Sequence, residues 1–150
     1  MDANKFMALA FEQANAAEKA GEVPIGAVVV DARGRVLGLG HNRNRERLDP
    51  TAHAEIEAIR AACQNLGQAR LDGCDLYVTL EPCPMCAQAI AFAQIRRLVF
   101  GAYDPKGGGV EHGPRIFNQS SCHHQPEVIG GIGETEAGSL LRAFFQARRD

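Results

Sequence analysis

The sequence predicts an α/β domain of three layers, α/β/α, with helices covering both faces of a central mixed sheet of about five strands. Three observations carry this expectation. Short apolar runs alternate with longer segments of helical periodicity. The first two runs flank a tight turn, so the sheet opens with a hairpin. Ile25 to Val30 is nearly unbroken in its apolar character, which suits a strand buried on both faces.

The elements follow in chain order. Phe6, Leu9, Ala10, Ala14 and Ala17 recur at helical spacing, so a helix is expected from Phe6 to Ala20, stopped by Gly21. Ile25 to Val30 is the first strand. Asp31-Ala32-Arg33-Gly34 has turn chemistry, and Val36 to Leu39 is the second strand. Asn42 to Asp49 is polar, rich in arginine and loop-like. A helix starts near Asp49-Pro50-Thr51, with Asp49 or Thr51 as its cap, and runs to about Asn65 before Gly67. Asp75 to Leu80 is the third strand. The next helix starts at Cys83-Pro84 and runs to about Gln94; Arg97 to Phe100 is the fourth strand. Gly101 to Pro114 is irregular and glycine-rich, and a long loop in a compact domain is usually functional or mobile. Glu127 to Ile129 is a short fifth strand, and Gly138 to Arg149 is the last helix.

Length and composition narrow the function classes. The chain has 150 residues, which is the size of one domain spanning 1–150. Hydrophobic residues make up 45% of it, enough for a core without disulfides, and no stretch approaches a membrane span of about 20 apolar residues. Met1-Asp2-Ala3-Asn4-Lys5 lacks the basic start and apolar run of a signal peptide, so a cytoplasmic location is expected. Five cysteines, an odd number without an export signal, argue against a disulfide framework. Cys63, Cys74 and Cys122 read as small buried hydrophobes. A formal net charge of -2 is not the footprint of a strongly basic nucleic-acid binder, although Arg43, Arg45 and Arg47 cluster locally.

Three segments matter for chemistry: His53-Ala54-Glu55, Pro82-Cys83-Pro84-Met85-Cys86, and Asn42 upstream. Pro84 is favoured at the first helical position, which makes Cys83 the N-cap and Cys86 the third helical residue, on a shared face. At a helix start the dipole favours thiolate, the form that binds metal. A lone Cys-x-x-Cys leaves metal and redox roles open. His53, at the start of the preceding helix, supplies a third ligand, and three protein ligands with an open fourth position mark a catalytic Zn2+, one per chain. Glu55 lies two residues on, so on an ideal helix its side chain diverges from that of His53 by about 200°. It is therefore a proton shuttle and not a fourth ligand: it accepts the proton of zinc-activated water and delivers it to a ring nitrogen and then to a leaving amine. A purely structural zinc site has no use for this carboxylate.

His-x-Glu followed by Pro-Cys-x-x-Cys is a signature of zinc-dependent nucleobase deaminases. The chain resembles the cytidine-deaminase-like superfamily and, within it, the bacterial tRNA adenosine deaminases. That finer likeness rests on Glu22-Val23-Pro24-Ile25-Gly26, His41-Asn42-Arg43, Asp49-Pro50-Thr51-Ala52-His53-Ala54-Glu55, Leu80-Glu81-Pro82-Cys83 and the late run Leu140 to Arg149. The resemblance implies a cytidine-deaminase-like fold and hydrolytic deamination of adenosine to inosine at the wobble position of tRNA anticodons. It also implies a homodimer and an anticodon stem-loop as partner. Asn42 matches the position that hydrogen-bonds the purine, with an amide able to donate and accept. Ala54, Asp104, Lys106, Phe145 and Arg149 match other nucleotide-contacting positions; of Phe144 and Phe145, one is expected in the core. Pro84-Met85 is also similar to guanine and cytosine deaminases, so a free-base substrate at the same zinc site is the alternative.

Overall fold

The computed structural model describes residues 3–149, with side chains from residue 3 to residue 148. Five helices and five strands carry the architecture: α1 Ala3–Lys19, β1 Gly26–Val30, β2 Val36–His41, α2 Asn44–Arg47, α3 Ala54–Leu66, β3 Asp75–Leu80, α4 Pro84–Phe92, β4 Arg97–Ala102, β5 Glu127–Ile129 and α5 Glu134–Arg149. A single 3-10 turn, Ile116–Asn118, interrupts the long connection after β4. The sheet order is β2-β1-β3-β4-β5. β1 is antiparallel to both neighbours, while β3, β4 and β5 run parallel. The sheet is mixed and five-stranded, and it opens with the expected hairpin.

Alternation along the strands divides the core between two faces. Ala27, Val29, Leu76, Val78, Leu98 and Phe100 pack under α3 and α4 with Ala54, Ala58, Ala62, Ala87 and Ile90. Val28, Val30, Tyr77 and Val99 point the other way, against Phe6, Met7, Ala10 and Phe11 of α1 and Ala137 of α5. The three layers follow from this two-sided burial. Cys74 is buried, and Cys63 and Cys122 pack against the same core, in keeping with their reading as small hydrophobes.

The second strand brings α3 unusually close. Gly38 and Gly40 share one face of β2, and a Cβ on Gly40 would lie 2.4 Å from the Ala54 carbonyl oxygen and 2.5 Å from the Ala58 nitrogen. These are backbone atoms, so a side chain there must push the helix away. Gly40→Ala is expected to cost about 2 kcal/mol through overpacking and to weaken metal retention by moving the start of α3. A urea midpoint and zinc content equal to wild type would contradict this.

Several element boundaries differ from expectation: α1 begins at Ala3 and not Phe6, α5 at Glu134 and not Gly138, and β2 and β4 run on to His41 and Ala102. α3 starts at Ala54 with His53 as N-cap, not at Asp49 to Thr51. Asp49 makes a turn of its own: its Oδ1 accepts from the Thr51 N–H at 2.8 Å and from the Thr51 hydroxyl at 2.7 Å. That side-chain turn copies a helix cap without starting a helix. The stretch expected to be a loop from Asn42 to Asp49 contains the one-turn α2, held by a distant residue described below.

Candidate active site

β1 opposes β2 and β3, so β2 and β3 point the same way, with α3 and α4 following them. Both helices therefore begin at the same edge of the sheet, where ligands bind in open α/β folds. Cys83 is the N-cap of α4 and Pro84 is its first residue, as expected. His53 is the N-cap of α3, with extended backbone (φ -76°, ψ 157°). The ideal-helix angle between His53 and Glu55 does not apply, because His53 stands just outside the helix.

The two helix starts converge on a compact donor set. His53 Nδ1 lies 3.5 Å from Cys83 Sγ and 3.5 Å from Cys86 Sγ. The ligand atoms of these residues all lie within 4.8 Å of one another, and no other such group occurs among the described residues. Tetrahedral zinc with Zn–S of about 2.3 Å and Zn–N of about 2.0–2.1 Å separates N and S by about 3.6 Å. The residues present thus fit the metal in both chemistry and spacing.

The electrostatics fit as well. A hydrogen bond from the Cys86 thiol, reinforced by His53, outweighs burial and lowers the Cys83 thiol to about 4. Donating that bond, together with burial, pushes Cys86 up. The His53 imidazole is raised, first by its bond to Cys83 and against the effect of burial. Glu55 is buried beside this group. Burial raises its carboxyl to about 7, with the Cys83 charge adding and its own backbone N–H, His53 and the Cys86 thiol opposing.

His53 opens onto a groove of about 920 Å³. Asn42 lines it, and its Oδ1 accepts the Ala54 N–H at 2.8 Å. That bond sets the amide orientation: Oδ1 faces the backbone of α3 with one of its two lone pairs used, and the NH2 group is left as a donor. Ala54 is buried with its N–H already used, so its backbone donor serves Asn42. Asp104, Lys106 and Phe145 line the groove. Phe144 is 6% exposed against 47% for Phe145, so Phe144 is the core member of the pair. Arg148 covers the Phe144 ring at 3.6 Å. Arg149 ends α5, but its side chain lies outside the described residues.

The arginine cluster divides. Arg47 pairs with the buried Glu57 at 2.9 Å, and Arg43 reaches it at 3.9 Å. Arg45 instead lines the groove, its Nη1 donating to the Gly21 carbonyl at 3.0 Å. In Cys122-His123-His124, the His124 Nε2–H donates to the Ile95 carbonyl at 2.6 Å and the Cys122 thiol donates to the His124 carbonyl at 3.3 Å.

Among the buried carboxylates to which the sequence assigned no role, two hold backbone segments beside the groove. Glu22, 3% exposed, accepts the N–H groups of Arg45 and Glu46 at 3.1 and 2.8 Å and so caps α2. Glu81 does similar work on the opposite side of the groove. An acid at the end of an apolar strand was the available signal for Glu81; nothing local marks Glu22. Tyr103 on the groove was also missed.

The profile of the cytidine and deoxycytidylate deaminase zinc-binding region matches residues 1–102. The sequence is 58% identical over 144 residues to a tRNA-specific adenosine deaminase of Agrobacterium fabrum, covering 96% of this chain and 94% of that one. A solved structure from a study of A-to-I editing by tRNA:A34 deaminases at the wobble position of transfer RNA is similar, with a TM-score of 0.89 and 58% identity. It covers 91% of this chain and 99% of that one. A guanine deaminase from Nitrosomonas europaea is similar in fold at a TM-score of 0.81 but only 26% identical, covering 94% of this chain and 83% of that one.

Proposed function

The chain belongs to the zinc-binding cytidine and deoxycytidylate deaminase family, and on that premise we propose that it deaminates adenosine to inosine at the wobble position of tRNA anticodons. It is a zinc-dependent hydrolase acting on a C–N bond, with one zinc per chain. The observation that carries the reading is the placement of His53 Nδ1 at 3.5 Å from both sulfurs, with a buried carboxylate beside them.

His53, Cys83 and Cys86 would hold the metal. When bound, zinc supplies a Lewis acid that activates water. Glu55 moves the protons: its buried carboxyl, beside the metal ligands, is placed to accept one and return it. It carries two protons in turn, both from the water: one to the ring nitrogen and a second to the departing amine, so the exocyclic nitrogen leaves as ammonia and the water oxygen takes its place. The Asn42 NH2 donates to an acceptor on the purine edge. Phe145 and Tyr103, 47% and 40% exposed, offer rings to bases splayed out of the loop. Asp104 and Lys106 contact the sugar and backbone. No strongly basic surface is required, because a flipped base is read by stacking and edge contacts.

Incubated with an arginine tRNA anticodon stem-loop, the zinc-loaded protein should form inosine. Free adenine, guanine and cytosine run beside it should release no comparable ammonia. Ammonia from a free base with no inosine in RNA would overturn the tRNA reading in favour of a free-base deaminase.

The active form we infer is a homodimer, working in the cytoplasm where tRNA is found. α4 is apolar almost all round, with Gln88 its only amide or charge, and Phe92 at its end is 73% exposed. Such a helix calls for a partner surface. Phe92→Arg is expected to convert the dimer to monomer in sedimentation while zinc stays bound. A wild-type chain that sediments as monomer at micromolar concentration would remove the dimer from the proposal.

A further inference from the structure

Glu81 follows β3 directly and takes no part in the metal site or the proton path. It is 2% exposed, yet both its oxygens are occupied by one loop. Oε1 accepts the Asp104 N–H at 3.0 Å and the His112 Nδ1–H at 2.8 Å. Oε2 accepts the successive N–H groups of Val110, Glu111 and His112 at 3.2, 2.9 and 3.2 Å. Three consecutive peptide donors on one oxygen form an anion nest, and here the anion is a side chain of the protein itself.

The segment from Tyr103 to Arg115 contains no helix or strand. Backbone groups that cannot join a ladder need other partners, and Glu81 supplies them from a rigid strand end. Burying a carboxylate is costly unless its hydrogen bonds are complete; here all five contacts come from the same loop. The loop is thus tied at both its front, Asp104, and its back, 110–112. Its middle lies against the metal site. A Cβ on Gly108 would sit 2.4 Å from Glu81 Oε2, and one on Gly109 would sit 2.5 Å from the Pro84 nitrogen and 2.9 Å from the Cys83 carbonyl carbon. One carboxylate therefore connects the groove lip to the peptide that carries a metal ligand.

We propose that Glu81 is a positioning residue that fixes the Asp104–Gly107 lip of the groove relative to the metal ligands and acts on nucleotide binding through Asp104 and Lys106. The proposal rests on the reading of the groove as a nucleotide site. Because the lip binds and does no chemistry, its loosening should raise KM and spare kcat.

The test uses the zinc-loaded protein carrying Glu81→Gln, which keeps the shape but faces at least two N–H donors with an NH2 group. Amide hydrogen exchange should quicken about 10-fold or more at Asp104, Val110, Glu111 and His112, as expected for lost charge-assisted bonds, with β3 unchanged. On the anticodon stem-loop, KM should rise about 10-fold while kcat stays within about threefold. Combined with Asp104→Ala, the effect on KM should fall short of the product of the single effects, because both act through one lip. Gly108→Ala perturbs the same clamp from the loop side and serves if Glu81→Gln does not fold. Unchanged exchange at those amides, a fall in kcat at constant KM, or independent effects in the double variant would each overturn the proposal. Absence of inosine with the wild type would instead remove the tRNA reading, and amide exchange, which needs no substrate, would still decide the role of Glu81.

Discussion

Glu55→Gln should abolish deamination while leaving zinc in place. The substitution keeps the size of a buried side chain and removes only its capacity to accept and return a proton. A positioned general acid and base contributes about 10² to 10⁴ in rate, and Glu55 serves in both directions, so a loss of at least about 10³-fold is expected. Metal content measured by atomic absorption should stay at one zinc per chain, because the proposed ligands His53, Cys83 and Cys86 are unchanged. The same change has a second consequence in the metal-free protein. Burial raises the folded-state carboxyl to about 7, above its unfolded value, so the buried group costs stability as pH rises between the two values. The cost is absent below the unfolded value and complete above the folded one. Metal-free Glu55→Gln should therefore melt above metal-free wild type at pH 8, with the gap closing below pH 4. Residual activity within tenfold of wild type, or loss of zinc from the variant, would defeat the proton-shuttle role.

Cys86→Ser should lose zinc and stability together. Cys86 is fully buried at the third position of α4, 3.5 Å from His53 Nδ1. A serine there offers a poor zinc ligand and leaves Cys83 and His53 with two-thirds of a site. Zinc binds the folded chain far better than the unfolded one, so its loss subtracts directly from folding free energy. At zinc about 1,000-fold above its dissociation constant the loss is about 4 kcal/mol, or a fall in midpoint of about 10 °C for a chain this long. Wild type stripped by a chelator should fall by a similar amount. Cys63→Ser, distant from the donor set, should keep full zinc. Stoichiometric zinc in Cys86→Ser would contradict the ligand assignment.

Much of this was legible in the sequence because its signals are local. A valine run between turns, helical spacing in α1 and α5, and proline after Cys83 each depend on neighbours a few residues away. The boundary error at α3 is local too: Asp49-Pro50-Thr51 has cap chemistry, and the structure uses it for a turn. Gly38 and Gly40 alternate plainly in the sequence, but their meaning comes from α3 lying on that strand. The Glu22 clamp spans 23 residues and the Glu81 clamp spans up to 31, so no window of sequence contains either.

The sequence by itself determined the chemistry: the donors that suit zinc, the carboxylate that can carry a proton, and the helix starts that present them. Only the tertiary structure decided what those groups could reach. Antiparallel β1 between β2 and β3 sends both helix starts to one edge and closes the distance between His53 and the cysteines, 30 and 33 residues on. The Ala54 N–H, 12 residues on, turns the Asn42 amide oxygen toward α3 and so fixes which way its NH2 group points. Residue types and spacing specify what a side chain can bond, whereas packing over long sequence separations specifies which partner takes each bond.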